Sequence, residues 1–139
     1  MTGFPVTIQM PVPWGDLDLF EHVNNVAYFR YFQAARIAYF DKIGLMQMHR
    51  GTNVGPILHS TSARFVKELK YPDEVIIGAA VSSMKTSSFV LDYQVESIST
   101  GIVAEGSSVN MVFDFNTKQK VPIPEELRAV ICKLEQKNF

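Results

Sequence analysis

Cysteine is almost absent from this chain: Cys132 stands alone among 139 residues. A single thiol closes no internal disulfide and builds no cysteine metal cluster, which fits a reducing compartment such as the cytoplasm. An excess of charge of one sign is also missing. The 13 lysines and arginines are scattered and the 14 acids nearly cancel them, for a net charge of −1. No basic field is therefore available to hold nucleic acid or an anionic membrane surface. No apolar run approaches the ~20 residues that cross a bilayer. The opening MTGFPVTIQM lacks the basic start and long apolar core of a secretory signal, so a cytoplasmic protein is expected. Internal repeats, low-complexity tracts and linkers are lacking too. A chain of this length, 47% hydrophobic and 19% charged, is expected to form one domain over residues 1–139.

The hydrophobic pattern is richer. Val6, Ile8, Met10 and Val12 alternate with polar or small residues, the period of a half-buried strand over 4–13. After a loop over 14–25 the period lengthens. From Val26 to Ile43 the apolar residues cover most of a helical circumference, leaving Arg30, Gln33 and Asp41 on a narrow polar face. A helix buried on several sides is expected there, capped by Asn24 or Asn25 and ended at Gly44. Residues 51–56 read as loop. Four strands are predicted over 59–69, 74–84, 88–98 and 102–115, with turn residues between them at Tyr71-Pro72-Asp73, Lys85-Thr86-Ser87 and Ser99-Thr100-Gly101. Such short connections predict a meander of antiparallel hairpins. A terminal helix is predicted over 124–137, with acids near its start and lysine near its end. The sum is an α+β domain, a mostly antiparallel sheet with its helices kept apart. Such a sheet has open edges, and edge pairing across a twofold axis predicts a homodimer.

The chemistry concentrates in WGDLDLFEHVNN, residues 14–25. Asp16, Asp18 and His22 precede the start of the apolar helix. A helix N-terminus offers unpaired N–H groups and partial positive charge, able to polarise a carbonyl oxygen. A carboxylate held beside it can attack that carbonyl or deprotonate water. The same residues also have structural uses, since Asp is a common turn former and Asn a common cap. A serine triad has no support, because no G-x-S-x-G elbow occurs. Metal ligation is poorly served: no second histidine completes a set with His22, Asp16 and Asp18.

The run GDLDLFEHVNNVAY resembles the signature of hotdog-fold thioesterases of the 4-hydroxybenzoyl-CoA thioesterase family. It is closest to the bacterial long-chain acyl-CoA thioesterase branch carrying D-x-x-x-HVNN. FVKELKYPDEV, residues 65–75, resembles the strand and turn of that family, and residues 104–124 resemble its last strand and exit. The likeness spans essentially the whole chain. It implies a hotdog fold, a curved antiparallel sheet wrapped around a long central helix. It also implies hydrolysis of an acyl-CoA thioester at the interface of a homodimer, often paired into a homotetramer, without a cofactor.

Residue by residue, the resemblance puts the catalytic carboxylate on Asp18, as nucleophile or general base, and the polarising amide on Asn25. His22 matches a histidine of the HVNN branches. Tyr28 falls beside the acyl pocket, and Asp16 falls where it orients the loop. Lys85 lies in the hairpin that holds nucleotide-contacting bases in related enzymes, with Arg64 or Lys67 able to assist at the coenzyme A rim. Phe20 stands where the plant acyl-carrier-protein enzymes carry asparagine, so their Asn-His arrangement does not transfer. No second acidic catalyst stands out over 59–64, where Ser60, Thr61 and Ser62 are candidate pocket hydroxyls. Two other readings of the same pocket are a binding module that holds an acyl or aryl thioester without turnover, and a hotdog enoyl-thioester hydratase or dehydratase.

Overall fold

A computed structural model describes residues Met1–Phe139. Its elements are strands β1 (Val6–Pro11), β2 (Val54–Phe65), β3 (Glu74–Met84), β4 (Ser88–Ser97), β5 (Gly101–Asp114) and β6 (Gln119–Lys120), and helices α1 (Asn25–Lys42), α2 (Leu45–Thr52) and α3 (Glu125–Glu135). All pairings are antiparallel, in the order β1-β3-β4-β5-β2, with β6 against β5. Register shifts interrupt β2/β5, β3/β4 and β4/β5, and such irregularities bend and twist a sheet. The sheet curls around α1, which packs mainly on β1, β3 and β4. This is the α+β hotdog arrangement.

β4 shows how sequence period becomes a core. Phe89, Leu91, Tyr93 and Val95 are buried while the alternate residues stay half-exposed. The buried rings meet α1 directly: Tyr93 stacks on Phe32 at 4.9 Å, and Phe89 lies edge-on to Phe40 at 6.1 Å. Ala27 and Ala35 are wholly buried on the same helix, where their small side chains let α1 lie close to the sheet. The side chain of Asn24 caps α1, accepting the N–H of Val26 at 2.7 Å. The helix ends at Gly44, which takes φ +80, a value that a Cβ would strain. Burial is less complete than its composition predicts, for Val26 and Ile37 remain 62% and 47% exposed in the single chain.

Three expectations are corrected. The four strands after α1 do not form a simple meander: β2 pairs with β5 and never with β3. Residues 66–73 therefore form a crossover past the end of the sheet instead of a hairpin turn. β2 runs over Val54–Phe65, so its start was hidden by loop-like residues and its predicted end, 66–69, belongs to the crossover. There the N–H groups of Val66 and Lys67 turn to the carbonyl of Val103, and the Leu69 carbonyl accepts from Val23 at 2.8 Å. Finally, residues 45–52 form α2. Gly51 and Asn53 suggested loop, but Leu45 is fully buried and anchors the helix, and Asn53 closes it with φ 59.

The C-terminal helix is locked by one carboxylate. Glu135 accepts from the phenol of Tyr39 at 2.5 Å and from the N–H of Val81 at 2.8 Å. Val81 lies just past the end of β1, whose pairing stops at Val6 and Ala79, so its N–H would otherwise lack a strand partner. No helix is long and apolar enough to cross a membrane.

Candidate active site

Asp16 and Asp18 lie two residues apart yet meet opposite environments. A single 3₁₀ turn, Trp14–Asp16, directs Asp16 inward, where its carboxylate accepts from the guanidinium of Arg30 and from the phenol of Tyr31 at 2.8 Å. Its carbonyl accepts from the N–H of Asn24 at 2.9 Å. Asp16 is thus fully engaged in joining the loop to α1. Burial and the Asp16 hydrogen bond push the Tyr31 phenol up, so it stays neutral and donates.

Asp18 stands at the start of a tight hairpin closed by the Leu17–Val23 bridge. Its N–H donates to the His22 carbonyl at 2.8 Å, its own carbonyl accepts from Glu21 at 3.0 Å, and Glu21 takes φ 64 to make the turn. One carboxylate oxygen, Oδ1, accepts from the N–H of Phe20 at 2.8 Å. The other has no protein partner, and the side chain is exposed to solvent.

Asp18 and His22 line one hollow of about 600 Å³ with Trp14, Phe20, Lys70 and Tyr71. Asn25 and Tyr28 line a second, of about 360 Å³, with Phe65, Val66 and Glu68. One side chain from each hollow meets the other: Nε2 of His22 lies 3.2 Å from Oε2 of Glu68. At the head of α1 the Asn24 side chain satisfies Val26, and the N–H of Asn25 donates to nothing in the chain. Tyr28 is buried, 5.0 Å from the ring of Phe65, and burial pushes its phenol up to about 12.

The other predicted contacts lie elsewhere on the single chain. Arg64, on β2, pairs with Glu105 at 2.9 Å on the surface. Lys85 lines a third hollow, of about 730 Å³, with His59, Ser60 and Lys120. The structure therefore groups Asp18 with His22 and Asn25 with Tyr28, and leaves Arg64 and Lys85 apart from both pairs. Of the three candidate hydroxyls, Ser60 faces the hollow of Lys85, while Thr61 and Ser62 bond Ser107 on the neighbouring strand.

Sequence reasoning missed Glu68, Lys70 and Tyr71. Glu68 and Lys70 fell within or beside what read as the end of a strand. Only the crossover carries them to the loop, and no local spacing signals a contact between residues 22 and 68. The exposure of Trp14 (72%), Leu19 (92%) and Phe20 (76%) beside the first hollow is also a tertiary fact. Contiguous apolar surface of this kind marks binding or assembly.

Comparison with known proteins accords with this arrangement. The sequence profile of the thioesterase-like superfamily matches residues 12–131. Uncharacterized protein YsmA of Bacillus subtilis (strain 168) is 29% identical over 97 residues, covering 70% of this chain and 65% of that protein. Protein THEM6 of Danio rerio is 27% identical over 120 residues, covering 79% of this chain and 59% of that protein. The chain thus spans less than two thirds of the length of either. Among solved structures, a thioesterase from Thermus thermophilus complexed with coenzyme A and Zn is 27% identical, with a TM-score of 0.88 and full coverage (100%) of both chains. The PA2801 protein of Pseudomonas aeruginosa is 29% identical, with a TM-score of 0.81 over 92% of this chain and 98% of that one. By its sequence over residues 12–131 and by its architecture, the chain belongs to the thioesterase-like superfamily.

Proposed function

We propose that this protein hydrolyses the thioester of an acyl-CoA to a free carboxylic acid and coenzyme A. The observation that carries the reading is that two groups of one short run are left unengaged by the chain: a free carboxylate oxygen on Asp18 and the free N–H of Asn25 at the head of α1. A bound thioester would direct its carbonyl oxygen to the Asn25 N–H, where the helix partial charge favours developing negative charge. Its carbonyl carbon would then face Asp18, acting as nucleophile or as general base toward water. His22 shares the hollow of Asp18, and Tyr28 offers a neutral aromatic wall for the acyl group. The similarity to a Thermus thermophilus thioesterase solved with coenzyme A supports the choice of thioester.

Assembly belongs to the same proposal. β2 presents a 12-residue strand whose outer edge has no partner, and Phe65, Val26 and Phe20 leave apolar surface open near the site. A homodimer, alone or paired into a homotetramer, would join two β2 edges and cover that surface. Arg64 lies on that edge strand, and in the assembly we assign Arg64 and Lys85 to the phosphates of coenzyme A. The deciding experiment is thiol release from a panel of aromatic, medium-chain and long-chain acyl-CoAs. Turnover of at least one class, lost in Asp18→Asn, is the expected result; a panel that releases no thiol overturns the reading.

A further inference from the structure

Arg36, on α1, is a half-buried cation that the site described above does not use. It stands in none of the chain's ion pairs. Of its five N–H donors, the one with a side-chain partner reaches the phenol oxygen of Tyr93 at 3.3 Å. Behind it lies a polar cluster sunk in the core: Tyr93, Ser108 and Asn110 are all but fully buried. The Tyr93 and Ser108 hydroxyl oxygens lie 2.6 Å apart, and Nδ2 of Asn110 donates to the Ser108 oxygen at 3.0 Å. Both hydroxyl oxygens thus accept from a nitrogen, and one of their two protons fills the bond between them. The other proton has no acceptor in the chain. Burial pushes the Tyr93 phenol up, so it keeps its proton at neutral pH. A half-buried cation without a counter-charge and a buried hydroxyl proton without an acceptor are both costly to leave unmet. One anion with acceptor oxygens would meet both.

The cluster lies at the end of two rows that start at the hollow of Asn25. Tyr28, Phe32 and Arg36 are spaced four residues apart, so they share one face of α1. Phe65, Ala63 and Thr61 run beside them on β2: the Phe65 ring lies 5.0 Å from that of Tyr28, Ala63 pairs with Gly106 against which Phe32 packs, and Thr61 pairs with Ser108. From Tyr28 to Arg36 the helix advances ~12 Å, and from Phe65 to Thr61 the strand advances ~14 Å. The rows therefore match in length. α1 packs mainly on β1, β3 and β4, which leaves this side of the molecule toward the open edge of β2, where Leu58 is 45% exposed.

We propose that Arg36, with the Tyr93–Ser108 pair behind it, binds a carboxylate at the far end of the acyl chain, so that the substrate is the mono-thioester of a dicarboxylic acid. The proposal rests on the thioesterase reading and names its acyl class. With the thioester carbonyl at the Asn25 N–H, the chain follows the two rows and its terminal carboxylate meets the guanidinium, whose parallel N–H groups fit two carboxylate oxygens. The length of the rows suits on the order of ten carbon atoms, joined by bonds of ~1.5 Å in a zigzag. A simple fatty acyl group of the same length would fill the rows and leave Arg36 without its counter-charge.

The test measures steady-state thiol release from decanedioyl-CoA, decanoyl-CoA and the shorter hexanedioyl-CoA by wild type, Arg36→Met, Arg36→Lys and Tyr93→Phe, with thermal melts to establish folding. Binding of free decanedioic and decanoic acids is followed by calorimetry, which needs no turnover. Wild type should favour decanedioyl-CoA over both other thioesters by at least ~10-fold in kcat/KM, the scale of hydrogen bonds to a charged group. Arg36→Met should abolish the preference over decanoyl-CoA, chiefly through KM. Arg36→Lys, which keeps the charge and loses the fork, should retain part of it, and Tyr93→Phe should lower it less than Arg36→Met does. A wild type that treats the diacid and monoacid thioesters alike, or an Arg36→Met protein that keeps the preference, overturns the carboxylate site while the thioesterase reading stands. If Arg36→Met does not fold, a preference unchanged in both Arg36→Lys and Tyr93→Phe overturns it equally. No thiol release from any thioester, with decanedioic acid still bound through Arg36, overturns the thioesterase reading and the acyl assignment with it.

Discussion

The phenol of Tyr31 donates a 2.8 Å hydrogen bond to Oδ2 of Asp16, tying the second turn of α1 to the loop that carries Asp18 and His22. With Arg30 on the other oxygen, the first acid of the GDLD run is committed to structure. The second acid, two residues on, is left free. This division of labour sets what each substitution near the site should do.

Asp16→Ala should act on folding before it acts on chemistry. It orphans a buried phenol and a guanidinium that is 58% exposed. The phenol carries most of the cost, because solvent screens the arginine. A loss of about 2–4 kcal/mol is expected, at ~1.5–3 kcal/mol for a hydrogen bond to a charged group. Tyr31→Phe should cost less, since it leaves the ion pair intact. Chemical denaturation of both variants checks the order.

Asp18→Asn should do the reverse. The carbonyl oxygen of the introduced amide can still accept from the Phe20 N–H, so the hairpin and the melting temperature should be preserved. The rate should fall by at least ~100-fold, the lower range for a positioned catalytic group. Near-normal turnover of the best thioester by a folded variant would remove Asp18 from the reaction.

Gly106 tests the close packing beneath α1. A Cβ there would lie 2.6 Å from Cζ of Phe32 and 2.7 Å from the carbonyl of Ser62. The ring could swing away, but the backbone of β2 cannot without disturbing its pairing. Gly106→Ala is therefore expected to destabilise by about 1–3 kcal/mol, the usual range for overpacking. A melt showing no loss would mean that β2 and β5 are more loosely joined than their register indicates.

Alkaline pH should expose the buried phenols. Burial raises Tyr28 to about 12 from an ordinary 10.0, and raises Tyr31, Tyr39 and Tyr93 as well. A folded-state pKa above the unfolded value favours the folded chain while both states are protonated. That contribution is complete below pH ~10 and is lost as pH rises toward and past the folded values. Stability should hold up to about pH 10 and then fall, with the tyrosinate absorbance of these four rings appearing late and together with unfolding. Early ionisation of more than one of the chain's five tyrosines in a folded protein would contradict the burial of these rings, since only Tyr71, 48% exposed, lies outside the set.

Assembly through β2 predicts a dimer or tetramer by light scattering. Lysines introduced at Ser60 and Ser62 would put like charges on both copies of the paired edge, and like charges opposite one another oppose strand pairing. Dissociation of that double variant toward monomer is expected, with its circular dichroism unchanged. An unaffected oligomer would place the interface on another surface.

Periodicity by itself determined much of this protein. The alternation of Phe89, Leu91, Tyr93 and Val95 specifies a strand with one buried face whatever lies beside it. The aromatic and alanine positions from Ala27 to Phe40 specify a helix that must be covered, and Asn24 and Gly44 mark its ends. These signals are local, set by the ~2.0 and ~3.6 residue periods and by backbone preferences at single positions. The motif around Asp18, His22 and Asn25 is legible for the same reason, lying within one short run. Pairing partners are a different matter. β2 is compatible with β3 or β5 by composition, and its pairing with β5 is decided only in the assembled sheet. That choice turns residues 66–73 into a crossover and brings Glu68 to His22. A contact between residues so distant in sequence has no local signature. It exists because the Val23–Leu69 backbone bond and the buried Leu69 side chain hold the two segments together, and those are properties of the closed fold.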